Sequence, residues 1–173
     1  MKKEYVLSLP VELKFLSQIA VFGIISVLSF FVPFSLGYPQ WLVGTVVNAC
    51  LFLGALYLPK KYYIPLAILP SLGVLGRGLV FGQFTLFLVY FLPFIWLGNL
   101  MLILFYKKFN FLIAASVKFI FLFIMANIYF NFHIVPKLFL QAMGTNQLAT
   151  ALAGGLLAFL IFKLHGWFVF RSK

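Results

Sequence analysis

Residues 62–83 read YYIPLAILPSLGVLGRGLVFGQ. The stretch begins as an apolar segment broken by Pro65 and Pro70, then passes into Gly73, Gly76, Gly78 and Gly82, with Arg77 held between two of those glycines. Apolar runs long enough to span a membrane flank it on both sides. Lipid tolerates irregular backbone only where protein buries it or where it lines a watery cavity. A short, proline-broken segment ending in glycines therefore marks a candidate binding site. The expectation is a short helix over residues 62–76 and a glycine loop over 73–82, with the Arg77 guanidinium at its tip.

Working outward, five longer runs read as full spans: 13–33, 41–58, 84–106, 111–132 and 146–167. Each is close to the ~20 residues needed to cross a ~30 Å hydrocarbon core. Pro59 with Lys60 and Lys61 stops the second, Lys107 and Lys108 close the fourth, and Pro93 is expected to kink it. Residues 34–40 (FSLGYPQ) form an uncharged turn with an aromatic anchor in Tyr38 and Trp41. Residues 133–145 (HIVPKLFLQAMGT) read as a loop or an interfacial helix lying on the membrane. The polar residues 1–14 before a full-length span do not resemble a signal peptide. Together these segments predict an all-α polytopic membrane protein: one domain over residues 1–173, a bundle of six transmembrane helices with a short third helix.

Composition agrees. The chain has 173 residues, 65% hydrophobic and only 9% charged, with a mean hydropathy of +1.14. That leaves too few charges to clothe a soluble domain of this length. The net charge of +11 does not point to nucleic acid, because the cations fall singly or in pairs at the ends of apolar runs. With the N-terminus inside, Lys2, Lys3, Lys14, Lys60, Lys61, Lys107, Lys108, Lys163, Arg171 and Lys173 gather on the cytoplasmic side, against Arg77 and Lys137 outside. This bias predicts a multi-pass protein of the cell membrane with both termini cytoplasmic.

Acids are nearly absent: Glu4 and Glu12 precede the first span, and there is no Asp. Carboxylate proteolysis, di-metal hydrolysis and carboxylate proton relays all need acids within the spans. Ser71 lacks the flanking glycine of a nucleophile elbow, and His133 and His165 fall on opposite membrane faces. Two separated histidines and the single Cys50 offer no metal set. The expectation is therefore not an enzyme, with no cofactor and no metal.

The segments 41–61 (WLVGTVVNACLFLGALYLPKK), the short third helix with its following loop, and 144–158 (GTNQLATALAGGLLA) resemble the substrate-binding S subunits of energy-coupling factor (ECF) transporters. The resemblance covers nearly the whole chain, although Gly- and Ala-rich spans are common in membranes. It implies capture of a small vitamin-like or micronutrient solute from outside, with a transmembrane coupling subunit and ATPase subunits as partners. The chain has no phosphate-binding Gly-x-x-x-x-Gly-Lys-Ser/Thr loop of its own. In the family, helix 1 docks through an Ala-x-x-x-Ala face. Here Ala20 is followed four residues on by Ile24, and the small residues spaced by three are Ser17, Ala20, Gly23, Ser26 and Ser29; the resemblance implies docking through this stripe, at Ser17, Ala20 and Gly23.

The candidate substrate-binding residues are Arg77, Gln83, Asn127, Asn131, Asn146 and Gln147, all toward the outer ends of their segments. Asn127 and Asn131 share a helix face. Arg77, Asn127, Asn131 and Gln147 are expected to face one pocket with residues 73–82 as its lid. Helix capping and interhelical hydrogen bonds are the structural alternative for these residues. Asn48 and Asn99, deeper in the spans, read as interhelical glue. Lys118 reads as a side chain snorkelling to the inner surface, and Lys137 as one reaching outer headgroups. The alternative to capture is a non-transporting membrane scaffold or assembly subunit.

Overall fold

The computed structural model describes residues 11–36, 39–78 and 85–171, and the chain is an all-α polytopic membrane bundle. Its helices are α1 (Val11–Ser35), α2 (Gln40–Tyr57), α3 (Tyr63–Arg77), α4 (Thr85–Lys108), α5 (Phe111–Asn131), α6 (Leu138–Met143) and α7 (Thr145–Arg171). A single 3₁₀ turn, Lys60–Tyr62, leads into α3. Among the described residues, five helices are long and apolar enough to cross a membrane. The fifteen residues of α3 span only about 22 Å at 1.5 Å per residue. This is the short third helix the proline-broken sequence predicts.

Local chemistry sets the ends. Leu58, before Pro59, is extended (φ −108°, ψ 148°) and stops α2, because the proline ring crowds a helical predecessor. Asn110 starts α5 by accepting a hydrogen bond from the Ile113 backbone N–H at 3.0 Å, a side-chain N-cap. Gly78 ends α3 with φ +74°, its N–H donating to the Val74 and Leu75 carbonyls, the left-handed cap that glycine adopts without steric cost.

That last point corrects the expected loop. Gly73 and Gly76 lie inside α3 rather than in a lid, and α3 runs on to Arg77. Gly73 is buried, and a Cβ there would collide with the Phe30 carbonyl of α1. Its lack of a side chain serves close helix packing, not backbone mobility. The remainder of the expected lid, and Gln83, lie outside the described residues.

The helices pack around α2, which meets α1, α4 and α7. Helix α1 rests on α2 and α3, α4 on α3 and α5, and α7 returns to lie along α2 with its other side on α5. Helix α2 is central, with 44% of its spanning window buried, and α1 peripheral, with 11%. Contact between α2 and α7 is close because glycines face it. A Cβ on Gly154 would sit 2.7 Å from Asn48 Cβ, and one on Gly44 2.9 Å from Thr150 Cγ2. The 144–158 segment thus supplies the small surface that seats α7 on α2.

The segment after α5 forms the short helix α6, whose inner face is buried in the bundle. Its Phe139 is fully buried, 5.7 Å from the Phe91 ring, in an aromatic cluster with Phe94 and Tyr129 between α4 and α5. Burial of Phe139, Ala142 and Met143 seats one face of α6 on the bundle through apolar contact.

Candidate functional site

A cavity of about 130 Å³ lies between α2, α3, α4, α5 and α7, with Pro33 of α1 and Ala142 and Met143 of α6 also lining it. One water needs only ~10–15 Å³ of such volume, so there is room for a small solute. The cavity sits toward the end of the bundle where α2 and α7 begin and α1 and α3 finish, since Pro33, Gln40, Val74, Met143 and Asn146 all line it. Trp41, on the rim, is 66% exposed. Its walls are apolar, including Val43, Val47, Leu88 and Ile95.

The polar groups fall into two tiers. At the rim are Gln40, Asn146 and Gln147, about one turn or less from their helix starts. In the interior are Asn48, Asn99 and Lys118, all nearly fully buried. Asn48 lies eight residues beyond Gln40, about 12 Å along α2. Lys118 lies thirteen residues before Asn131, about 20 Å from that end of α5. The cavity therefore has a polar rim, an apolar throat and a polar floor.

Asn48 organises the floor. Its Nδ2 donates to Gly44 O on its own helix at 2.9 Å and to Thr150 Oγ1 on α7 at 3.2 Å. Those two donations fix the amide so that Oδ1 turns toward α5, where it accepts from Lys118 Nζ at 2.7 Å. Thr150 in turn donates to the Asn146 carbonyl at 2.8 Å. Close α2–α7 packing at Gly44 and Gly154 is what brings Thr150 within reach. On the opposite wall Asn99 Nδ2 donates to Ala67 O of α3 at 2.9 Å. Ser71 accepts from Trp96 Nε1 at 2.6 Å and donates to Ile68 O at 2.7 Å. An indole rather than an imidazole holds that hydroxyl.

The structure brings Asn146 and Gln147 to the cavity but not Arg77, Asn127 or Asn131. The four-residue pocket expected from sequence is therefore not formed. Asn127 and Asn131 do share a face, but the buried row of α5 is Lys118, Leu122 and Ala126. Each residue turns the helix by about 100°, so Asn127, next to Ala126, points away from the cavity. Its Nδ2 folds back onto Phe123 O at 2.7 Å, and Asn131 is exposed. Arg77 donates from Nη1 to the Ser35 and Phe34 carbonyls, at 2.6 and 3.4 Å. It caps the end of α1, where free carbonyls and the negative pole of the dipole attract a cation.

Lys118 departs furthest from the sequence reading. It does not snorkel; it is 3% exposed and turned into the bundle. Lys163, by contrast, is exposed with Nζ over the Phe159 ring. The distinguishing signal was present in the sequence: an ionisable residue well inside a span is a functional candidate by default. Asn48 and Asn99 do make interhelical hydrogen bonds, and both line the cavity as well. Of the expected docking stripe, Ser17, Ala20 and Gly23 all lie on the exposed face of α1, and a Cβ on Gly23 would meet nothing within 4 Å. No group of three or more metal-ligating side chains occurs among the described residues.

No protein-family model matches the chain, and neither a curated protein nor a solved structure matches it.

Proposed function

We propose that this protein is a substrate-capture subunit of an importer, binding a small solute from the outer side of the cell membrane, as the resemblance to ECF S subunits suggests. The observation that carries the reading is the cavity among α2, α3, α4, α5 and α7, with unengaged amides at its rim and a hydrogen-bonded polar floor. Apolar walls with a few convergent polar groups are the usual make-up of a small-molecule site. The distribution of Lys and Arg supports an orientation in which the cavity end faces outward and both termini are cytoplasmic. Coupling to an energised partner would run through the exposed small-residue face of α1, whose peripheral position leaves it accessible. The solute would enter at Trp41, Asn146 and Gln147 and settle toward Asn48 and Asn99.

A scaffold reading draws on the same interhelical bonds, Asn48 to Thr150 and Asn99 to Ala67, as packing devices alone. Native mass spectrometry of the purified protein separates the two. Capture predicts a retained small molecule that is lost when the cavity is narrowed from its apolar wall by Val47→Phe; a scaffold predicts none. A protein that retains no solute, or retains it equally in the narrowed variant, overturns the capture reading.

A further inference from the structure

We infer that the occupant of this cavity is a small organic monoanion, a carboxylate, and that Lys118 is its counter-charge. The inference rests on the capture reading and adds the substrate class to it. The argument begins with an imbalance. Lys118 is buried beside the cavity, and among the described residues its one hydrogen-bond acceptor is the neutral Asn48 Oδ1. An ammonium carries three donors and no acceptor, so two N–H groups remain for something else. A buried cation without a partner of opposite charge is costly. Proteins ordinarily meet that cost with a carboxylate, and this chain has none to offer: no Asp or Glu follows Glu12. Every helix packed against α5, namely α4, α6 and α7, is without acids, and so are α2 and α3; α1, which lines the cavity through Pro33, has its one acid, Glu12, twenty-one residues earlier near the other end of the helix.

The rest of the site fits an anion supplied from outside. Asn48 is locked by its bonds to Gly44 and Thr150, so its oxygen holds Nζ in place at the floor rather than letting it reach the inner surface. Asn146 and Gln147 line the same cavity, and among the described residues neither side-chain amide is engaged in a hydrogen bond, leaving N–H donors at the rim. A single lysine balances one negative charge. A phosphate dianion would leave a net charge in an apolar throat, whereas a carboxylate leaves none. Arg77 does not share the task, because it does not line the cavity and its Nη1 is bound to the end of α1. The apolar walls then take the organic body of the acid.

The test uses the full-length protein in detergent, in two arms. In the first, native mass spectrometry identifies the retained solute in wild type, Lys118→Gln and, as a control, Lys163→Gln. The expected result is an acid, either water-soluble or a bilayer fatty acid as its exact mass decides, lost from Lys118→Gln and kept in Lys163→Gln. In the second, thermal unfolding of wild type is followed with acetate and with acetamide, a pair alike in shape but differing in charge. Acetate should stabilise and acetamide should not, and removing the lysine charge should weaken the acetate response at least about tenfold. The wild-type comparison stands even if Lys118→Gln does not fold. A neutral or cationic retained solute overturns the anion inference and leaves capture intact. An equal response to acetate and acetamide overturns it as well. No retained solute in wild type overturns both readings.

Discussion

Gly154→Ala should destabilise the protein, while the same change at Gly23 should not. At Gly154 the added Cβ would meet Asn48 Cβ and Thr45 O at 2.7 Å and Ala49 N at 2.8 Å. Two of those atoms are α2 backbone, which cannot turn aside as a flexible side chain could. Ordinary contact begins near 3.4 Å, so α7 must move off α2 by roughly 0.7 Å, the shortfall between those two distances. Thr150, one turn away on the same face, bonds Asn48 at 3.2 Å. The same displacement would carry that contact beyond hydrogen-bonding range. Overpacking costs about 1–3 kcal/mol and the lost hydrogen bond about 0.5–1.5. Against these stands about 0.8–1.0 kcal/mol from replacing a helical glycine by alanine. The net expectation is a loss of about 2 kcal/mol. At Gly23 a Cβ meets nothing within 4 Å, so only the helical gain remains, up to about 1 kcal/mol of stabilisation. Reversible unfolding in mixed micelles, followed by circular dichroism, measures both. Equal shifts at the two positions, or a Gly154→Ala protein as stable as wild type, would refute the argument that Gly154 sets the α2–α7 distance.

Arg77→Ala should cost about 1 kcal/mol in the same unfolding assay through loss of the α1 cap, and should leave solute retention unchanged; lost retention without lost stability would mean Arg77 serves the ligand. Asn48→Asp places a carboxylate beside Lys118 and should displace an anionic solute while keeping the protein folded, read as loss of the retained mass; unchanged retention would count against a charge-paired floor. A cysteine introduced at Lys107, in a Cys50→Ala background, should resist an impermeant thiol reagent in intact cells, and labelling there would invert the topology. Ala20→Leu should block co-purification of a partner while sparing solute retention, because a bulky side chain separates close-packed helices; loss of retention with intact association is the contrary result.

The architecture was legible in the residues because membrane insertion is decided by properties that are local and additive. Span length, apolarity and the prolines at positions 59, 65 and 70 can be read one segment at a time, and they set the five long helices and the short α3. Helix ends were readable only in part: Pro59 marked the end of α2, whereas the glycines of the third segment pointed to a loop where α3 runs on to Arg77. What lay beyond the sequence was the meaning of individual polar and small residues, because that depends on which neighbour each one faces. Gly73 looks like a hinge and is a contact point with Phe30. Asn127 looks like a ligand group and sits one residue, about 100° of helix rotation, away from the face that matters. Asn146 and Gln147 reach the cavity because α7 lies on α2, and that pairing joins residues about a hundred positions apart. Lys118 turns inward for the same reason: Gly44 and Gly154 let Thr150 fix Asn48, and Asn48 then offers an oxygen that no property of α5 alone could foretell. Hydropathy acts on each helix by itself, whereas rotation about the helix axis is set only when the others are in place.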